Sequence, residues 1–201
     1  MGLNVHTEAK ALIFDLDGTL SNSLPVHVAT WNQLGEAYGF KFDPQIVDDM
    51  TGQPTIAFAR HIVARYGLSE DPEELVRQKQ QSFWSSAHLL EPVEEVIAIV
   101  KAFHGKLPMA VGTGASRRSA EVQLEALQLT SYFDAVVSAN DVTRHKPHPE
   151  TFLKCALLMG VEPAGCQVYE DGNLGIEAAK KAGMFITDVR PHINYGEWKL
   201  S

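Results

Sequence analysis

Two acidic pairs stand where short apolar runs of the sequence end. Asp15 and Asp17 follow such a run near the N-terminus, and Glu170 and Asp171 follow another near the C-terminus. Clustered carboxylates repel one another unless a cation or a proton joins them. Oxygen ligands from two or three carboxylates suit Mg²⁺, which keeps some waters and often bridges to a phosphate. The two pairs therefore predict a magnesium site, provided that the fold brings these strand ends together.

Three further residues could bind a phosphate. Thr113 and Gly114 offer a hydroxyl and a backbone N–H group at the predicted start of a helix, which is an anion site. Lys146 in an acidic crevice would balance charge and hold a phosphate. Metal, lysine, hydroxyl and amide together make a phosphoryl-transfer centre. The sequence has no G-x-x-x-x-G-K-[ST] loop, so it does not support a nucleoside triphosphate substrate, and a strand-end carboxylate is the available nucleophile.

These residues are positioned by predicted strands that alternate with helices. Unbroken apolar runs predict strands buried on both faces of a parallel sheet, and the runs begin at Ala11, Met109, Ala135, Gln167 and Phe185. The expected fold class is therefore α/β, with a Rossmann-like doubly wound parallel sheet. Ligands of such sheets bind beyond the carboxyl ends of the strands, which is where the acidic pairs lie.

Residues 21–90 interrupt this alternation. Their apolar residues recur at intervals of three and four, which predicts three helices and no strand. We expect a small helical module inserted after the first strand. The predicted domains are a Rossmann-like core of residues 1–20 and 91–201, and a helical cap of residues 21–90.

The composition predicts a soluble, globular protein. Its 17 basic and 25 acidic side chains give a net charge of -8, which argues against non-specific binding to nucleic acid or to an anionic membrane. No stretch approaches the ~18 apolar residues of a membrane span. Cys155 and Cys166 form no disulfide framework and fit a reducing compartment. We expect a cytoplasmic protein, monomeric by default, whose partner is a small phosphomonoester.

The order of the motifs resembles that of the haloacid-dehalogenase-like hydrolases. Asp-Leu-Asp-Gly-Thr-Leu at residues 15–20 looks like the first motif of this family, and Thr113, Lys146 and Glu170-Asp171-Gly172 follow in the order of its other three. The resemblance covers nearly the whole chain. The helical insertion is similar to the cap of the β-phosphoglucomutase-like subgroup. Within that subgroup the chain resembles bacterial fructose-1-phosphate phosphatases, a class also described as acting on 6-phosphogluconate.

The resemblance implies roles for the acidic residues. Asp15 would be the nucleophile that forms an aspartyl-phosphate. Asp17 would protonate the leaving alcohol and then take a proton from the hydrolytic water. Mg²⁺ would bind the Asp15 carboxylate, the backbone carbonyl of Asp17 and Asp171, with Glu170 either as a further ligand or as a group behind the ligands.

The resemblance also implies a substrate-binding set. Thr113 and the Gly114 amide would hold phosphate oxygens, and Lys146 would offset the charge of the phosphate and the nucleophile. His27 lies where a histidine of the sugar-phosphate mutases helps to position substrate. Arg117 could reach a substrate carboxylate or phosphate, or it could belong to a solvated helix face.

The residues of the cap should indicate whether the protein is a phosphatase or a mutase. Mutases of this subgroup carry a lysine and an arginine in the cap, which grip the second phosphate of a bisphosphate intermediate. The matching segment here supplies Thr51 and Thr55 instead. Water should then take the phosphoryl group. We therefore expect a Mg²⁺-dependent phosphatase for a small sugar phosphate, such as fructose 1-phosphate or 6-phosphogluconate.

Three alternatives remain open. A phosphoglucomutase-type isomerase would share every core motif. A phospho-accepting signalling module also uses carboxylates, a hydroxyl and a lysine on a parallel sheet, but its acceptor aspartate follows a later strand and it has no inserted cap. A catalytically idle binding protein is opposed by the intact set of Asp15, Asp17, Lys146 and Asp171.

Overall fold

A five-stranded parallel sheet forms the centre of the protein. The computed structural model describes residues 3–50 and 53–193. The strands in these residues are β1 (Ala11–Phe14), β2 (Ser21–Asn22), β3 (Glu91–Pro92), β4 (Met109–Gly112), β5 (Ala135–Val137), β6 (Cys166–Glu170) and β7 (Phe185–Asp188). The main sheet has the order β5-β4-β1-β6-β7, and its neighbours all pair in parallel. The α/β class predicted from the apolar runs is confirmed.

Eight α-helices occur in the described residues. They are α1 (Leu24–Tyr38), α2 (Gln45–Met50), α3 (Thr55–Tyr66), α4 (Pro72–Ser85), α5 (Glu94–Phe103), α6 (Arg117–Ala126), α7 (Glu150–Met159) and α8 (Asn173–Lys181). None of them is both long and apolar enough to cross a membrane. Ser116 is the N-cap of α6, and its side chain accepts a hydrogen bond from the backbone N–H of Ser119.

The central strand β1 is buried on both faces, as its unbroken apolar run predicts. Leu12 and Phe14 belong to the hydrophobic cluster formed with α5 and α6. Ala11 and Ile13 point the other way, into the cluster formed with α7 and α8. Successive side chains of a strand point to opposite faces, so both faces of this strand must be apolar. The acidic loop that begins at Asp15 is therefore attached to a strand that is packed on both faces.

Helices α1–α4 pack into a hydrophobic cluster of their own, which includes Trp31, Phe42, Ile62 and Leu75. The three helical stripes of the sequence appear as α1, α3 and α4. The six-residue α2 was not predicted, since it is too short to show a period.

One prediction for residues 21–90 is wrong. Strand β2 lies in this segment and pairs with β3 in an antiparallel ladder, in which Ser21 faces Pro92 and Asn22 faces Glu91. A two-residue strand has no alternation that a sequence pattern could reveal. β2 precedes α1 and β3 follows α4, so this ladder pairs the two segments that connect helices α1–α4 to the rest of the chain.

Candidate active site

Three acidic side chains meet at the carboxyl ends of β1 and β6. One ligand oxygen from each of Asp15, Glu170 and Asp171 lies within 4.8 Å of the other two, and all three residues are buried. The parallel pairing of β1 with β6 causes this, because it continues past the strand end: the Asp15 N–H donates to the Tyr169 carbonyl over 3.0 Å. The sequence prediction that these strand ends converge is confirmed.

A buried lysine pairs with this acidic cluster. The ammonium of Lys146, a residue only 1% exposed, lies 2.6 Å from Asp15 Oδ1 and 2.7 Å from Glu170 Oε2. Burial by itself would lower the pKa of Lys146, but the two carboxylates raise it well above its usual value. Burial and the charge of Glu170 raise the pKa of Asp15, and Lys146 offsets this only in part.

The donor set at the cluster fits a divalent cation. Three carboxylates face one ammonium, so the cluster retains negative charge that a metal would neutralise. All the side-chain donors are oxygen atoms, which hard cations such as Mg²⁺ prefer. Asp15, Glu170 and Asp171 could therefore hold a divalent metal ion.

The turn after β1 requires a glycine. Gly18 has a φ of +86°, and a Cβ atom added to it would stand 2.2 Å from Asp171 Oδ2. The hydroxyl of the next residue, Thr19, donates to Asp171 Oδ1 over 3.1 Å. The loop thus packs directly on the Asp171 carboxylate and helps to orient it.

We expect Gly18→Ala to displace Asp171 and to lower activity at least about ten-fold, as loss of a group supporting a metal ligand does. The positive φ and the clash together should cost about 2–5 kcal/mol of unfolding free energy. Gly39→Ala is the matched control, since Gly39 also has a positive φ but its added Cβ would contact nothing within 4 Å. The control should cost only about 1–2 kcal/mol with unchanged activity. Urea unfolding measures the free energy of unfolding of each variant, and phosphate release measures its activity. Equal effects of the two variants on these quantities would contradict the argument that the loop packs on Asp171.

Asp17 is held by three donors at one oxygen. Its Oδ1 accepts hydrogen bonds from Ser23 Oγ at 2.6 Å, His27 Nε2 at 2.9 Å and Gln123 Nε2 at 2.9 Å. Burial would raise the pKa of Asp17, but His27 and the three hydrogen bonds hold it below its usual range. Ser23 and Gln123 were not predicted as site residues.

Lys79 is a site residue that the sequence analysis missed. Its ammonium contacts His27 Nδ1 and lies 4.6 Å from the centre of the Phe83 ring, on which His27 also stacks. A signal was available, because Lys79 stands midway between Leu75 and Phe83 at helical spacing, on the buried face of α4. Burial lowers the pKa of Lys79 to about 7.

Lys79→Met is expected to raise the melting temperature more at pH 6 than at pH 9. The folded-state pKa of about 7 lies below the ordinary 10.5. Between these two pKa values the unfolded chain binds more protons than the folded protein, so the free energy of unfolding rises with pH. Below pH 7 Lys79 is charged in both states, and its burial then destabilises the folded protein by the full amount. The methionine variant removes that cost.

Thermal unfolding at the two pH values measures this difference. The surface variant Lys181→Met is the control and should show no such dependence on pH, because Lys181 is half exposed. An equal shift of Lys79→Met at both pH values would contradict the assignment.

A pocket lies between the strand ends and the helices α1–α4. Its sheet side is lined by Asp15, Asp17, Thr113 and Gly114, and its helical side includes His27, Gln53, Thr55 and Lys79. Of the predicted cap threonines, Thr55 is thus on the pocket, whereas Thr51 lies outside the described residues. Gln53 Nε2 also donates to the Lys146 carbonyl.

One sequence prediction needs correction. The Arg117 guanidinium lies 2.5 Å from Asp141 Oδ2 and 2.9 Å from the Val136 carbonyl, and Arg117 does not line the described pocket. Its charge therefore anchors α6 to the end of β5 instead of facing substrate. The sequence analysis compared cap cations only around Thr51 and Thr55, and Lys79 reaches the pocket from outside that segment, on α4.

Comparison with known proteins identifies the family. Residues 12–189 match the haloacid dehalogenase-like hydrolases. Fructose-1-phosphate phosphatase YqaB of Escherichia coli (strain K12) is 44% identical over 181 residues, which are 89% of this chain and 95% of that protein. Beta-phosphoglucomutase of Bacillus subtilis (strain 168) is 28% identical, with 90% and 83% covered. The crystal structure of CbbY from Rhodobacter sphaeroides in complex with phosphate has the same fold, with a TM-score of 0.78, 22% identity and coverage of 89% and 84%. This chain therefore belongs to the haloacid dehalogenase-like hydrolases, and it is an enzyme of the phosphatase type.

Proposed function

We propose that the protein is a Mg²⁺-dependent phosphatase for a small sugar phosphate and that it works through an aspartyl-phosphate. The observation that carries this proposal is the meeting of Asp15, Asp17 and Thr113 in one pocket beside the acidic cluster. A nucleophile, a proton donor and a phosphate-binding hydroxyl are thus within reach of the same small molecule.

Asp15 attacks the phosphorus atom of the substrate in the first step. A carboxylate oxygen forms the new O–P bond while the bond from phosphorus to the sugar oxygen breaks. Asp17 gives a proton to that sugar oxygen, because the negative charge of the bound phosphate favours its protonated form before the transfer. In the second step water loses a proton to Asp17 and attacks the aspartyl-phosphate. The bond from phosphorus to Asp15 then breaks, which releases inorganic phosphate and regenerates both side chains.

Mg²⁺ would be held by the carboxylates of Asp15 and Asp171 and by the backbone carbonyl of Asp17. When bound, it neutralises charge on the transferred phosphoryl group. Glu170 is a further candidate ligand, but Lys146 and the N–H groups of Asp171 and Gly172 already donate to its carboxylate. Its principal role is then to hold Lys146 beside Asp15.

The phosphate is bound by the loop after β4. The hydroxyl oxygen of Thr113 accepts a hydrogen bond from the Ala115 N–H over 3.0 Å. This contact uses the oxygen as an acceptor and leaves the hydroxyl hydrogen for a phosphate oxygen. The Gly114 N–H supplies a second donor near the start of α6. Lys146 balances the charge behind them.

Residues 21–90 act as a cap on a core of residues 1–20 and 91–201. The pocket lies beneath α1–α4, and both the strand ends and these helices line it. We expect the helices to close over a bound sugar phosphate and to open for product release. His27, Gln53, Thr55 and Lys79 then contribute the polar contacts that select the sugar.

Fructose 1-phosphate is the first candidate substrate, and 6-phosphogluconate is the second. The 44% identity to a fructose-1-phosphate phosphatase across nearly the whole chain supports the first. The cation of Lys79 on the pocket supports a substrate with a second anionic group, such as the carboxylate of 6-phosphogluconate. The two buried free cysteines suit a reducing compartment and hence a cytoplasmic enzyme.

A sugar-phosphate mutase is the second candidate function. Lys79 favours it, because a cap cation could hold the second phosphate of a bisphosphate. The 28% identity to a β-phosphoglucomutase also favours a mutase.

Phosphate release from a panel of sugar and polyol phosphates, with Mg²⁺ and with EDTA, tests the proposal. We expect release that EDTA abolishes, with fructose 1-phosphate and 6-phosphogluconate among the best substrates. The same samples are analysed for conversion of β-glucose 1-phosphate to glucose 6-phosphate in the presence of the bisphosphate. Isomer conversion without net phosphate release would replace the phosphatase with the mutase, and no turnover of either kind would reject both.

A further inference from the structure

Gln123 is a buried amide whose position folding stability does not explain. It lies on α6, is fully buried, and donates from Nε2 to Asp17 Oδ1 over 2.9 Å. Its carbonyl oxygen Oε1 is buried without a hydrogen-bond partner among the described residues. An unpaired buried carbonyl is costly, so an apolar side chain of the same size would suit this site better for folding alone. The contact with Asp17 is what the amide adds.

The three donors to Asp17 come from different parts of the fold. Ser23 and His27 lie at the start of α1, on the side of the chain that leads into the helices above the pocket. Gln123 reaches the same oxygen from α6, which packs on the sheet. The contact from Gln123 is therefore the one that does not depend on where α1 lies.

The second oxygen of Asp17 is left for chemistry. Oδ1 accepts all three hydrogen bonds, and within residues 3–50 and 53–193 no hydrogen bond reaches Oδ2. Asp17 lines the pocket beside Asp15 and Thr113. A carboxylate anchored at one oxygen in this way has a defined orientation, in which the other oxygen can exchange a proton with the reacting groups.

We propose that Gln123 is a positioning residue that anchors Asp17 from the sheet side, so that Oδ2 carries the transferred proton. This inference rests on the proposed phosphatase function. The proton passes from Oδ2 to the sugar oxygen as the bond between that oxygen and phosphorus breaks. In the hydrolytic step Oδ2 takes a proton back from the attacking water. Gln123 holds Oδ1 throughout, also when α1 moves with the helices to admit substrate.

The test uses Gln123→Met, which keeps the length of the side chain and removes the amide. Two kinds of substrate are compared: the best sugar phosphate of the panel, and acetyl or p-nitrophenyl phosphate, whose leaving groups need no proton. We expect kcat/KM for the sugar phosphate, which reports the first phosphoryl transfer to Asp15, to fall at least about ten-fold, since assistance by a general acid is worth ~10²–10⁴-fold. kcat/KM for the activated substrate should fall far less, because its leaving group needs no proton, whereas the hydrolytic step that both substrates share lowers kcat equally when it limits the rate. The melting temperature should equal or exceed that of the wild type.

Two reference variants define what the pattern means. Asp17→Asn should show the same selectivity for the sugar phosphate in a stronger form. Gln167→Met removes another buried glutamine, whose amide donates to the Asn4 carbonyl and to Thr187 Oγ1. This control should lower the melting temperature and affect both kinds of substrate equally.

Three results would overturn the inference. The first is an equal loss of kcat/KM on both kinds of substrate, and the second is no loss of kcat/KM on either. The third is a failure of both Gln123→Met and Gln123→Leu to fold, which would make the amide a structural requirement. If the wild type releases no phosphate from any substrate, the proposed function itself fails, and the inference fails with it.

Discussion

Asp15→Asn is expected to lower phosphate release by about four orders of magnitude or more, as removal of a nucleophile does in other hydrolases. The amide has the shape of the carboxylate but cannot form the aspartyl-phosphate. Its Oδ1 can still accept the hydrogen bond that Lys146 donates to Asp15 over 2.6 Å. Release of phosphate from the best substrate of the panel, with Mg²⁺ present, measures the loss.

The Asp15→Asn protein should remain folded. Burial and the nearby Glu170 raise the pKa of Asp15, so its charge is held at a cost in the absence of metal. We expect a melting temperature in EDTA at or above that of the wild type. The matched control is Asp134→Asn, which changes an exposed aspartate that accepts a hydrogen bond from the Met109 N–H at the opposite end of the strands. This control should keep full activity, and activity retained in Asp15→Asn would place the nucleophile elsewhere.

Lys146→Met is expected to lower the unfolding free energy by about 3–5 kcal/mol, the range seen when one partner of a buried ion pair is removed. The wild-type ammonium pairs with both Asp15 and Glu170, and all three side chains are buried. Without it, the cluster of three carboxylates loses its buried cation and must take up protons or metal. Activity should also be lost, since the nucleophile loses its charge partner. Urea unfolding in EDTA measures the change.

Mg²⁺ should stabilise the Lys146→Met protein more than the wild type, because the metal then supplies the missing positive charge. The contrasting variant is Lys181→Met. Lys181 pairs with Glu177 at 2.7 Å on an exposed face of α8, and loss of such a surface pair costs about 0–1 kcal/mol. If the two lysine variants unfold at the same urea concentration, the buried network does not hold the site together.

The strands and the acidic end of the sheet could be predicted because their signals are local. A strand buried on both faces must be apolar at every position, so β1 and β6 appear as unbroken runs. Parallel strands end at the same edge, so Asp15, Glu170 and Asp171 converge there once β1 and β6 are neighbours, as they are in this sheet. The sequence also suggested that Lys146 balances the charge of this acidic crevice, and Lys146 lies beside Asp15 and Glu170.

The surroundings of Asp17 could not be predicted, because its contacts join distant parts of the chain. Gln123 lies 106 residues from Asp17, and nothing in a helix pattern shows which strand end a polar side chain will reach. The partner of Arg117 could not be predicted either. Its charge was compatible with binding an anionic substrate, but in the structure it pairs with Asp141, 24 residues away along the chain. Sequence by itself determined the α/β class and the helices of residues 21–90, and it proposed candidate residues for phosphoryl transfer. Tertiary structure decided which oxygen of Asp17 is anchored and which cation faces the pocket, because hydrogen bonds and ion pairs depend on distances that only packing sets.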